Sequence, residues 1–94
     1  MVGGKVTARQ QNGAEITAFN ALAFLAGEPD RLERFLAASG ADAGILRDIA
    51  GNHDLMVAIL DFLLSDEGLL LEFCDTTGTK PRASHQARYV LCGE

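Results

Sequence analysis

Four residues of this chain have side chains suited to nucleophilic or metal chemistry: His53, His85, Cys74 and Cys92. A cysteine held against a histidine gives a thiolate nucleophile, and two of each would suit a zinc ion. The spacing argues against both. The two cysteines lie 18 residues apart and the histidines 32, with none of the close pairs that make zinc sites credible. A Cys74–His85 pair would need the fold to join two separate segments. His53 sits near the start of a helical segment, where the helix dipole disfavours its protonated form, and is expected to cap or lie on the surface. The glycine stretches "GNHD", "GADAG" and "GTK" lack the flanking residues of phosphate-binding loops. No catalytic residue, cofactor or metal is expected.

Asp61 is the remaining candidate, because it interrupts the apolar run "LMVAILDFLL" at residues 55–64. Wound as a helix, this stretch puts Asp54, Ala58, Asp61 and Ser65 on one narrow stripe and apolar side chains on the remaining arc of about 260°. Asp61 therefore takes the only face open to water and is read as a solvated carboxylate. The width of the apolar arc is unusual, since amphipathic helices bury a stripe of somewhat over 100°. Such a helix is either central to a bundle or shared between a core and a partner. The next segment adds Leu69, Leu70 and Leu71, which spread over about 200° and cannot all face one core. Leu71 or Leu69 should point outward.

The elements that carry these residues are punctuated by glycine and proline at helical intervals, and no segment alternates with the period of a strand. Residues 1–12 read as a flexible tail and 13–94 as one helical domain. Six helices are expected, over about 14–26, 29–39, 43–50, 53–64, 66–77 and 81–92. The first should turn Ile16, Phe19, Leu22, Ala23 and Ala26 inward and end on Gly27 as a left-handed cap. Pro29 should open the second, which buries Leu32, Phe35 and Leu36 and closes on Gly40. Asp42 should cap the third, with Ile45, Leu46 and Ile49 inward and Gly51 closing it. Asn52 and Ser65 should cap the fourth and fifth, Gly78 should close the fifth, and Pro81 should open the sixth.

A shift of 38 residues places Leu22 on Leu60, Phe24 on Phe62, Leu25 on Leu63, Leu32 on Leu70, Phe35 on Phe73 and Gly40 on Gly78. It suggests a compact all-α bundle made of two copies of a three-helix unit. Cys74 then corresponds to Leu36 and is expected to be a buried, inert thiol. Cys92, near the end of the last helix, is expected to be reactive.

Composition bounds the function. An apolar share of 48% describes a globular chain, and no run approaches the roughly 20 apolar residues of a membrane span. The opening "MVGGKVTARQQNGAE" does not read as a secretory signal, and two unpaired cysteines suit a cytoplasmic protein. The net charge of −5 is uneven: residues 10–79 hold twelve acids against Arg31, Arg34 and Arg47, while Lys5, Arg9, Lys80, Arg82 and Arg88 lie at the ends. An acidic body repels phosphate backbones, so nucleic acid is not expected as a partner.

The stretches "ALAFLAGEPDRLERFLAASGAD", "LRDIAG" and "AILDFLLSDEGLLLEFCDTTG" resemble a family of small helical proteins of unknown function from alphaproteobacteria. The resemblance covers roughly residues 15–91 and rests on apolar blocks. It implies an all-helical, bacterial, cytosolic protein and carries no activity with it. The expected function is a non-enzymatic interaction module, binding an unknown protein or a second copy through an apolar surface of the fourth and fifth helices. Leu69, Leu71, Val57, Leu64 and Met56 are its candidate residues. The alternative is a small nucleic-acid-associated regulator using the basic ends and a helix-turn-helix-like segment at 31–50.

Overall fold

In a computed structural model describing residues 8–92, the chain forms five α-helices and one 3₁₀ segment, and no strand occurs among the described residues. The helices are α1 (Ala8–Ala26), α2 (Pro29–Ser39), α3 (His53–Leu64), α4 (Glu67–Thr77) and α5 (Pro81–Leu91). The 3₁₀ segment spans Ala43–Asp48. The radius of gyration is 12.9 Å, against about 12 Å for a folded chain of this length.

Local signals fix most of the boundaries. Asn52 accepts from Leu55 N at 3.0 Å and starts α3, and Asp42 accepts from Ile45 N at 3.0 Å to start the 3₁₀ segment. Pro29 and Pro81 open α2 and α5, where a missing N–H costs nothing. Gly40 and Gly78 end α2 and α4 in the left-handed conformation, with φ of 76° and 75°. Two capping expectations need correction. Asp66, not Ser65, caps α4, accepting from Leu69 N at 3.1 Å, while Ser65 donates its hydroxyl back to Phe62 O. Gly27 has no positive φ; its N–H bonds to Ala23 O and Phe24 O in a tight turn into α2.

The expected tail at 1–12 is also corrected over residues 8–12, which are the first turns of α1; residues 1–7 lie outside the described residues. Arg9, Gln10 and Gln11 are good helix formers, and Gln11 and Glu15 both reach His53 at the start of α3. Ile16 is 57% exposed rather than inward, and Ala23 and Ala26, also expected inward, are exposed as well. The face of α1 that enters the core is Ala14, Ala18, Ala21 and Leu25, at helical spacing. Small residues win this face because α5 approaches it with Ser84 and Ala87, which are equally short and buried.

The helix count and the duplication are corrected too. The expected third helix is a six-residue 3₁₀ segment in which Ile45 is exposed, Leu46 half-buried and Ile49 buried. Its counterpart under a 38-residue shift is α5, an eleven-residue helix packed on α1 and α3, and α1 has 19 residues against 12 in α3. Two three-helix units are therefore not present. The offset does relate the hairpin turns, with α1 ending at Ala26 and α3 at Leu64, and α2 starting at Pro29 and α4 at Glu67. Two edge-to-face ring pairs exchange under it: Phe24–Phe73, with centroids 5.4 Å apart, and Phe62–Phe35, at 5.5 Å.

Helix α3 is the centre of the bundle and touches all four other helices. Leu55, Met56, Ile59, Leu60 and Leu63 are buried, and Val57, Ala58, Phe62 and Leu64 pack against them. The wide apolar arc is thus used by the core of the protein itself.

Candidate interaction surface

The residues suited to chemistry stand apart. Cys74 is buried in α4 and Cys92 is exposed at the end of α5, both as free thiols. His85 lies exposed on α5, and no hydrogen bond joins it to Cys74 among the described residues. His53 places Nε2 3.0 Å from Glu15 Oε2 and 3.0 Å from Gln11 Nε2, which ties α3 to α1. No third acid or thiol closes on this pair: the described residues contain no group of three or more His, Cys, Asp or Glu side chains able to hold a metal.

Asp61 is exposed, as its stripe required, and it has a partner that spacing did not reveal. Arg88 on α5 donates to both of its carboxylate oxygens. The hydrogen bond to Asp61 and the charge of Asp61 raise the Arg88 pKa above its ordinary value. One positive charge of the basic stretch at residues 80–93 is therefore paired with the acidic body. Arg31 is used similarly: its guanidinium stacks 4.1 Å over Phe24 and donates to Phe24 O and, at 2.6 Å, to Glu72.

The five residues expected on an apolar surface separate. Met56 is 0% and Leu69 5% exposed, so both belong to the core and not to any surface. The reason is the central place of α3, which turns Met56 toward neighbouring helices, and the turn of α4 that sets Leu69 with Leu70, Phe73 and Cys74 inward. Val57 and Leu64, one heptad apart on α3, are half-buried. Leu71 is 51% exposed on the outer side of α4.

A feature that spacing did not reveal is an open furrow of about 650 Å³ between α1 and α5. Gln10, Gly13, Ala14 and Thr17 line it from α1, and Ala83, His85, Gln86, Ala87, Tyr89 and Val90 from α5, so its lining is part apolar and part polar. Tyr89 is 63% exposed beside it. The signal available in sequence was the small-residue spacing of residues 13–21 opposite that of residues 83–87, which permits close helix approach and leaves a shallow trough at its side. The helix-turn-helix-like segment at 31–50 lacks its second α-helix, because residues 43–48 form the 3₁₀ segment, and Asp42 and Asp48 are exposed there beside Arg47. A recognition element needs an α-helix long enough to enter a groove.

The fold and this surface define a small all-helical domain whose distinctive features are an open furrow between α1 and α5 and isolated exposed apolar side chains. The chain belongs to the family described as "Protein of unknown function (DUF3572)", whose model matches residues 11–94. No curated protein and no solved structure matches it. No helix among the described residues is long and apolar enough to cross a membrane.

Proposed function

We propose that the protein is a non-enzymatic helical interaction module. The observation that carries this reading is the pairing of an open furrow of mixed apolar and polar lining, which includes the exposed Tyr89, with a separate exposed leucine, Leu71. Single exposed apolar residues are ordinary on soluble proteins, but a tyrosine standing beside a concave trough is the type of group that anchors protein interfaces. Val57 and Leu64 border on water and extend the apolar character of the α3 flank; Met56 and Leu69 have no part in it. Two free cysteines support a cytoplasmic setting, where thiols stay reduced.

The test is affinity capture from a bacterial lysate with the full chain as bait, followed by size-exclusion chromatography with light scattering. A stoichiometric complex, of copies or with another protein, is expected. A strict monomer that captures nothing sinks the reading. Passage through heparin at low salt is expected as well; retention that falls steeply with salt would instead favour a nucleic-acid role.

A further inference from the structure

Building on the interaction-module reading, we infer that the occupant of the α1–α5 furrow is a second copy of this chain, which docks the outer face of its α4 there with Leu71 as the inserted side chain. Two surfaces of opposite character carry the inference. The first is the furrow itself. Helix α5 contains no acid, and the one acid of α1, Glu15, is held by His53. Arg9 and Arg82 directly precede the lining residues Gln10 and Ala83, and Arg82 stands one turn from the lining residue Gln86 on α5. Neither arginine has an ion-pair partner among the described residues. In a protein of net charge −5, two arginines without an ion-pair partner among the described residues thus stand next to lining residues of this furrow.

The second surface is α4. Glu67, Leu71 and Asp75 recur at i, i+4 and i+8 and are all exposed, so an apolar side chain projects between two acids on one helical face. Glu67 and Asp75 form no salt bridge among the described residues. Gly13, Ala14, Ala83 and Val90 line the furrow together with the polar Gln10, Thr17, His85 and Gln86, its volume leaves room for a branched aliphatic chain, and the exposed Tyr89 offers a ring against which that chain can pack. Acid-flanked leucine and arginine-flanked trough are complementary in both shape and sign. Each copy carries both, so the contact is made either reciprocally, as a dimer with two-fold symmetry, or head to tail.

Sedimentation equilibrium of the full chain, across protein concentration and at low and high salt, tests this. The expected result is reversible self-association that weakens with salt. Leu71→Glu removes the inserted side chain. Gly13→Leu fills the trough from inside, and the isolated fold accepts it, because nothing lies within 4 Å of a Cβ placed at Gly13. Each variant should keep wild-type helicity and weaken association by roughly tenfold or more. Mixing the two variants should restore pairing, because the first retains an open furrow and the second an intact leucine. A strict monomer overturns the self-docking, even if capture experiments show a different partner and leave the interaction-module reading standing. Association that survives either variant, or that the mixture fails to restore, overturns it equally.

Discussion

Ser84 faces the core of the bundle from α5, fully buried, and its Oγ has no hydrogen-bond partner. A hydroxyl left unsatisfied in this way costs about 1–3 kcal/mol, whereas its small volume is what lets α5 lie against the alanines of α1. Ser84→Ala keeps the volume and removes the unpaired group. It should raise stability by about 1 kcal/mol, measured by urea denaturation; a loss of stability would show that the hydroxyl is satisfied in solution. Phe73 is the opposite case. Its ring is buried and set edge-on to Phe24. Phe73→Ala should cost about 3–5 kcal/mol, and Phe35→Ala the same, since Phe35 pairs with Phe62 in a matching geometry. In a chain of this size that is a large share of the total, and either variant is expected to melt without a sharp transition.

At the scale of the element, helix ends are set by single residues. Asn52 and Asp66 each satisfy one otherwise unpaired N–H at the start of α3 and α4. Asn52→Ala and Asp66→Ala should each cost about 1 kcal/mol in thermal or chemical denaturation. Ser65→Ala should cost clearly less, because its hydroxyl bonds a carbonyl of the preceding turn and caps nothing; equal losses at Ser65 and Asp66 would contradict the assignment of the cap. The six residues at 43–48 form no α-helix even though Asp42 caps them well. Their only buried follower is Ile49, and a single turn with so little burial cannot hold α-helical geometry against chain entropy. The same consideration explains why α1 extends to Ala8: its polar first turns gain tertiary contacts with α5 and with His53 that local pattern does not display.

For the whole molecule, the distinction between the two thiols reports on global stability. Cys74 is enclosed by the core, and Cys92 stands in water at the last turn of α5. A thiol reagent should modify Cys92 rapidly in the native protein. Cys74 should react only as fast as the protein opens, and its rate should rise with urea. Equal, rapid labelling of both would mean that α4 does not pack on α3 as described. The arrangement also explains why the charge asymmetry along the chain is only partly a surface property. Arg88 is spent on Asp61 and Arg31 on Glu72, and both pairs join helices distant in sequence. Exposed pairs of this kind stabilise little, but they remove positive charge from the outside. What remains beside the furrow is Arg9 and Arg82.

Sequence alone determined the things that are local. Proline at the first turn, glycine in the left-handed conformation and side-chain caps act within four residues of where they stand, so the spans of α2, α3 and α5 could be read within a residue or so. The exposed Asp61 followed from helical periodicity in the same way, which also required that Leu69 or Leu71 face outward; the buried Cys74 was expected instead from its alignment with Leu36 under the 38-residue shift. The tertiary structure decided which of two apolar faces is inward when both exist. Ile16 is large and apolar yet faces water, while Ala14, Ala18 and Ala21 make the core, because close approach between α1 and α5 favours small side chains at the contact. It also decided that the broad apolar arc of α3 is covered by its own neighbours, which removed Met56 from the surface, and that α4 turns Leu69 inward with Leu70, Phe73 and Cys74. The furrow followed from neither helix alone: the small-residue spacing on each permits a close approach, but a trough belongs to the space between two elements and exists only once they are packed.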